Sequence, residues 1–202
     1  MNTILHLNSS IFGDGGQSSR LAEQFVAQFP AARVVRRDLS KTPLPHLDAE
    51  RFGAFLSKSG SRTPAQQQVL DESDALIAEL REAGTIVIGL PMYNFGIPSQ
   101  LKAYFDHVAR AGVTFMYTDK GSVGLLTGKK AYVFAARGGL YQGTPRDTQT
   151  AYVRDFLAFL GIADVEFVYA EGLAISEASK AASLASAQHV LRNLAQPERI
   201  AA

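Results

Sequence analysis

The stretch GTIVIGLPMYNFGIPSQL, residues 84–101, decides the fold. Ile86, Val87 and Ile88 form an uninterrupted apolar run, the composition of a strand covered on both faces. Pro98 has a backbone pre-set for a helix start, and Leu101, Tyr104, Phe105 and Val108 continue along one helical face. Between strand and helix lie two prolines, two aromatics and an Asn. A buried strand running through such a loop into a helix is half of a parallel β-α-β unit.

Working outward, the pattern repeats. Residues 2–8 (NTILHLN), 33–39 (RVVRRDL), 130–136 (KAYVFAA) and 164–170 (DVEFVYA) have the same strand character. Leu21, Phe25 and Phe29 follow Ser18 and Ser19, which suit a helix cap. Thr63-Pro64 opens a helix over Leu70, Ser73, Ile77 and Leu80 that stops near Gly84. Val153, Phe156, Leu157 and Leu160 precede Gly161, a residue suited to the C′ position. Ser176 and Glu177 begin a last helix with Leu184, Leu191 and Leu194, and its Ala-rich run spans residues 178–195. The order predicts an α/β fold: a five-stranded parallel sheet with helices on both faces. Residues 41–62, with Pro43, Pro45 and Gly60 and little periodicity, are expected to be an excursion. Residues 112–129, with FMYT before Asp119-Lys120-Gly121, are expected to form a flap or hairpin.

The chain has 202 residues, so one domain over 1–202 is expected at about 150 residues per domain. Zero cysteines remove disulfides, thiolate nucleophiles and iron–sulfur or thiolate zinc sites. Twenty Lys+Arg against nineteen Asp+Glu leave +1, too little to suggest nucleic acid or an anionic membrane. No segment approaches the roughly 20 apolar residues of a bilayer span. His6, His46, His107 and His189 show no metal-ligand spacing, so no metal is expected. Met1-Asn2-Thr3-Ile4 lacks a basic leader, and a cytoplasmic location is the expectation.

In an open parallel sheet, ligands bind beyond the carboxyl ends of the strands. Three loops there have unusual composition. Residues 8–20 (NSSIFGDGGQSSR) carry four hydroxyls and three glycines at a strand-to-helix junction, a combination that suits a phosphate and also suits an ordinary capped turn. The same loop nearly matches G-x-G-x-x-G, with Asp38 where a dinucleotide fold places its ribose acid, but the third glycine is missing. Pro91, Met92, Tyr93, Asn94 and Phe95 offer stacking surface and an edge-on amide to a planar heteroaromatic ring. Arg137, Gly138 and Gly139 offer a positive charge and close backbone approach, or a tight turn beside a solvated Arg. A phosphate loop and an aromatic loop on one crevice describe an elongated ligand, flavin mononucleotide (FMN).

The run PMYNFGIPSQLK (residues 91–102), GVTF (112–115) and RGG (137–139), continuing through GKKA (128–131) and FLGI (159–162), resembles the FMN-dependent NADH-azoreductases of the flavodoxin-like quinone reductase group. The resemblance implies a flavodoxin-like fold and a homodimer with FMN at the interface. It places the phosphate on Ser9, Gln17, Ser18 and Ser19. The ring falls on Pro91, Met92, Tyr93, Asn94 and Phe95, with Arg137, Gly138 and Gly139 at its pyrimidine edge. Phe115, Tyr117 and Phe159 are assigned to the substrate side, and Met116 stands where family members often carry an Arg. The activity implied is two-electron reduction of azo compounds and quinones by NADH or NADPH in alternating half-reactions, with no side chain acting as acid or base. A flavodoxin-type electron carrier or a flavin sensor without turnover is the alternative; a colourless NAD-dependent dehydrogenase ranks last.

Overall fold

The computed structural model describes residues 3–194. Asn2 of the expected first strand and Ala195 of the expected last helix lie outside them, as does Met1.

Five parallel strands form the sheet: β1 (Thr3–Asn8), β2 (Arg33–Asp38), β3 (Thr85–Pro91), β6 (Lys130–Ala136) and β7 (Asp164–Ala170), in the order β2-β1-β3-β6-β7. The chain moves from β1 outward to β2, then crosses back to β3. The strand order therefore reverses between β1 and β3, which opens a crevice above their carboxyl ends. Two helices, α1 (Gln17–Val26) and α6 (Glu177–Leu194), cover one face, where Leu21, Phe25 and Leu191 pack on Ile4, Val87 and Phe134. The other face carries α3 (Pro64–Glu82), α4 (Ser99–Val108) and α5 (Thr148–Phe159), with Leu76, Leu101 and Val153 against Leu5, Leu7, Ile86 and Ile88. Alternation within β1 and β3 sends neighbouring apolar residues to opposite cores, which is why β3 reads as a continuous apolar run through Ile86, Val87 and Ile88.

Several helix ends follow the expected chemistry. Thr63 and Gln66 make a reciprocal capping box at α3. The end of α5 is a Schellman motif: Ile162 N–H donates to Leu157 at 2.8 Å, Gly161 N–H to Ala158 at 2.9 Å, and Gly161 has φ +100°. Two expectations need correction. Helix α1 starts at Gln17 with Gly16 at its N-cap, so Ser18 and Ser19 lie in its first turn and cap nothing. It also ends at Val26, which leaves Phe29 in the following turn, edge-on to Phe25. The excursion at 41–62 contains a helix, α2 (Ala49–Leu56), whose N-cap Asp48 accepts from Arg51 N–H.

Residues 112–129 contain the hairpin of β4 (Phe115–Thr118) and β5 (Gly121–Gly124). It is fixed at the amino end of the sheet: Leu126 N–H donates to Leu160 carbonyl at 2.8 Å, and Lys130 N–H to Gly84 carbonyl at 3.1 Å. The crevice lies at the other end of strands that are about 20 Å long.

Candidate functional site

The loop after β1 is built around Asn8. Its side-chain oxygen accepts from Ser10 N–H at 3.2 Å and from the Ser19 hydroxyl at 2.6 Å. The Ser9 hydroxyl donates to Gly89 carbonyl at 2.6 Å and pins the loop to β3. Ser18 differs: it is fully buried, and its hydroxyl has no partner among the described residues. The N–H groups of Gln17, Ser18 and Ser19 also find no acceptor there, and no side chain caps the helix. Gly16 allows this arrangement. A Cβ there would lie 2.2 Å from the Ser10 hydroxyl and 3.2 Å from that of Ser19, filling the cradle in front of the helix. Free first-turn N–H groups, the positive end of the helix dipole and a spare hydroxyl together suit an anion such as a phosphate.

The loop after β3 is a tight turn in an unusual conformation. Tyr93 and Gly96 exchange backbone hydrogen bonds at 3.2 and 2.9 Å, and the residues between them, Asn94 and Phe95, have φ +50° and +65°. Left-handed backbone is tolerable for Asn and costly for Phe, by about 1–2 kcal/mol. The N–H groups of Asn94 and Phe95 have no partner among the described residues, nor has the Asn94 amide. Both residues are exposed. Met92 is half-buried and fixed by its N–H to Ala136 carbonyl at 3.1 Å. Tyr93 joins this loop to the first, since its hydroxyl lies 3.2 Å from that of Ser10 and accepts from Ile11 N–H at 3.3 Å.

The loop after β6 corrects the reading of Arg137. Its side chain has no exposed surface, and its guanidinium is paired with Asp147 at 2.7 Å and Glu171 at 3.0 Å. It therefore brings no free positive charge to the crevice. Burial alone would raise the Asp147 carboxyl, but hydrogen bonds from Arg137 and Thr150 prevail and hold it below the ordinary carboxylate value. What the loop offers is backbone: the N–H groups of Gly138 and Gly139 are unpartnered among the described residues, while their carbonyls accept from Ala174 and Gly172. A Cβ on Gly139 would lie 2.6 Å from the Tyr141 ring, which would have to move aside. That ring meets Phe95 edge-on at 5.7 Å and ties the second and third loops together.

Two further placements matter. Phe115, Tyr117 and Phe159 cluster with each other, Phe115 lying 5.4 Å from Tyr117 and 4.2 Å from Phe159. They do so at the hairpin end, so within one chain they do not line the crevice to which they were assigned. The reason is topological: α4 and α5 begin at the crevice and carry the chain to the opposite end before the hairpin and Phe159 are reached. Gln149 and Tyr141 are part of the site and escaped sequence reasoning. The signal for Gln149 was a polar residue in the first turn after a capping Asp147. Cavities lie beside the crevice: about 570 Å³ between α1 and β2 over His6 and Asp38, and about 530 Å³ on the outer side of the Asn94–Phe95 turn. In the first, Glu23 pairs with Arg36, and Lys41 with Asp14 and Asp38. Among the described residues no group of three or more His, Asp or Glu is placed to hold a metal, and no helix is long and apolar enough to cross a membrane.

A family model described as Flavodoxin_2, flavodoxin-like fold, matches residues 2–194. The chain belongs to the Flavodoxin_2 family. Its curated relatives include the FMN-dependent NADH:quinone oxidoreductase of Cellvibrio japonicus (strain Ueda107), 54% identical over 193 residues and covering 94% of this chain and 96% of the relative. Among solved structures, an azoreductase from Bacillus anthracis str. Sterne superposes with a TM-score of 0.88 at 28% identity, covering 96% of this chain and 99% of that one. An FMN-dependent NADH-azoreductase from Bacillus anthracis str. Ames Ancestor, in complex with FMN, gives 0.85 at 27% identity over 97% and 100%. The five-stranded sheet with its β1/β3 crevice is the flavodoxin-like arrangement that the Flavodoxin_2 match calls for.

Proposed function

We propose that the protein is an FMN-dependent NADH:quinone oxidoreductase that also reduces azo compounds, with the whole chain acting as one flavin-binding domain. The observation that carries the reading is the bare start of α1, where three N–H groups and the unpartnered Ser18 hydroxyl converge beside the β1/β3 crevice. When bound, FMN supplies the chemistry, taking reducing equivalents from NADH and passing two electrons to the acceptor.

The chain's own residues bind and orient. The N–H groups of Gln17, Ser18 and Ser19 and the Ser18 hydroxyl hold the phosphate, while Ser9 keeps that loop on β3. The Asn94 amide and the N–H groups of Asn94 and Phe95 meet the edge of the ring. Pro91, Met92 and Tyr93 form its bed. The N–H groups of Gly138 and Gly139 would face the pyrimidine edge as hydrogen-bond donors, the part first assigned to the Arg137 charge. The hydrophobic rim of the crevice supports this use: Ile11, Phe12, Phe95 and Leu140 are each half or more exposed.

A homodimer completes the site in this reading. Phe115, Tyr117 and Phe159 reach a flavin only if they come from a second copy, and the hairpin exposes Met116, Tyr117 and Val123 for that purpose. A cytoplasmic location goes with this reading, since an NADH-consuming enzyme there has the nicotinamide pool at hand. NADPH as donor is compatible with the same crevice.

The test is the visible spectrum of purified protein titrated with FMN, before and after anaerobic NADH. The expected result is a bound two-band flavin spectrum that bleaches with NADH and returns on adding a quinone. Bound flavin that neither NADH nor NADPH bleaches would leave a carrier or sensor in its place.

A further inference from the structure

Gln149 is fully buried in the first turn of α5, and every polar atom of its carboxamide is committed. Its Nε2 donates to Pro91 carbonyl at 2.9 Å and to Gly96 carbonyl at 3.0 Å, the two sides of the Tyr93–Gly96 turn. Its Oε1 accepts from Nε of Arg137 at 3.2 Å. The amide has one viable orientation. Flipped, its oxygen would face two carbonyls and its NH₂ a guanidinium, leaving buried groups unpaired on both sides.

Arg137 is itself held by several partners. Beyond its pairs with Asp147 and Glu171, Nη2 donates to the Thr150 hydroxyl at 3.2 Å. Glu171 in turn accepts from the N–H groups of Tyr141 and Gln142, each at 3.0 Å, so the loop after β6 is anchored to the same hub. Thr148, beside Gln149, donates its hydroxyl to Phe95 carbonyl. The carbonyls of Pro91, Phe95 and Gly96 are therefore all held by the first turn of α5. The backbone between them is the strained part of the site, Asn94 and Phe95 in the left-handed region. Such a conformation persists only where the surroundings over-determine it.

We infer that Gln149 is a positioning residue of the redox site: clamped by Arg137, its carboxamide holds the Tyr93–Gly96 turn in the conformation that leaves the Asn94 and Phe95 N–H groups free at the crevice. The inference rests on the FMN reading, because those N–H groups matter only if a ring edge meets them. Gln149 touches no reacting atom in this role. It acts through the turn, and the buried Arg137 acts through Gln149 instead of through its charge.

The experiment compares wild type with Gln149→Met, which removes both donor and acceptor, and Gln149→Glu, which keeps the acceptor for Arg137 and turns an oxygen towards the two carbonyls. FMN affinity, the visible flavin spectrum and the two-electron potential of the bound flavin are measured, with Tm of the FMN-free protein as the folding control. Both variants are expected to bind FMN about 10- to 100-fold more weakly, the effect of the buried Pro91 carbonyl losing its donor, the Gly96 carbonyl keeping only that of Tyr93 N–H, and the turn relaxing. The flavin band and potential are expected to shift in both. Folded variants with wild-type affinity, spectrum and potential would overturn the role, and so would a lowered Tm with those three unchanged. If neither variant folds, the Gln149 side-chain amide resonance in wild type decides: it must move when FMN is added, and an unresponsive amide overturns the role. Wild type that takes up no FMN removes the functional reading itself, which separates that failure from the failure of Gln149.

Discussion

Three serines near the start of α1 look alike in sequence and differ in state. Ser9 and Ser19 donate their hydroxyl hydrogens to Gly89 and Asn8, whereas Ser18 has no partner among the described residues and no exposure. A buried hydroxyl left unpaired is a cost that a ligand can recover. Ser18→Ala is therefore expected to weaken FMN binding by about 10- to 100-fold, the worth of a charge-assisted hydrogen bond of about 1.5–3 kcal/mol. The FMN-free protein should keep its Tm or gain slightly, since no bond is lost and Ala favours the helix. Fluorescence titration and thermal melts read both numbers; a large Tm loss without weaker binding would make Ser18 a core residue. The residue types of this loop were legible in the sequence, but which hydroxyl is free was not, because that depends on Asn8 and Gly89. Arg137 was misread for a related reason. Its carboxylate partners lie 10 and 34 residues downstream, and no local spacing announces them.

At the scale of elements, what was legible followed from periodicity and end signals. The five strands, the capped start of α3 and the Gly161 stop were all readable, the last because only a glycine tolerates φ +100° comfortably. Helix α2 was not, since two turns interrupted by Gly53 and preceded by Pro43 and Pro45 carry too little period to stand out. Asp48 three residues before Arg51 was its one sign. The hairpin was legible as a hairpin, but its close fit to α5 was not. A Cβ on Gly124 would fall 2.0 Å from the Gly161 nitrogen and 2.3 Å from the Leu160 carbonyl carbon, both backbone atoms. Gly124→Ala must push the hairpin away from α5. Overpacking of this kind costs about 2 kcal/mol, which in a chain of this size lowers Tm by about 4–8 °C. An unchanged Tm would mean that hairpin and helix are not in contact in solution.

Stability of the whole molecule should fall in two steps as pH drops, and the signs follow from burial. Burial chiefly lowers the His6 pKa from its ordinary 6.5, with the Glu23 carboxylate pulling the other way, so the fold holds the neutral ring. The unfolded chain then takes up the proton first, and the contribution of His6 is present above pH 6.5 and lost below it. Asp147 and Asp38 are held below the ordinary 3.8 despite their burial, by Arg137 and Thr150 in one case and Ser40 and Lys41 in the other. Their contribution is intact above about pH 4 and lost as the pH falls through the folded values. Tm measured from pH 8 to pH 3 should decline from about 6.5 and steepen below about 4, with His6→Gln removing the first step. A wild-type profile flat from pH 8 to 5 would show that His6 does not couple to folding.

The placement of the hairpin makes a separate demand on the assembly. Cleft and aromatic cluster sit at opposite ends of strands about 20 Å long, so one chain cannot bring Tyr117 to its own crevice. If each site joins the crevice of one subunit to the hairpin of the other, two differently crippled chains should repair one another. Ser18→Ala combined with Asn94→Gly disables the crevice but leaves the hairpin, because glycine accepts the left-handed backbone that Asn94 adopts. Phe115→Ala combined with Tyr117→Ala does the reverse. Each homodimer has two defective sites. A mixed dimer has one site with both defects and one with neither. Dissociating and reassociating an equal mixture yields mixed dimers as half of the total, and about a quarter of wild-type sites are then intact. NADH-dependent quinone reduction should recover to about that fraction, while the separate variants stay low. Activity that never rises on mixing, with mixed dimers verified by native mass spectrometry, would place each complete site within a single chain and remove Phe115 and Tyr117 from it.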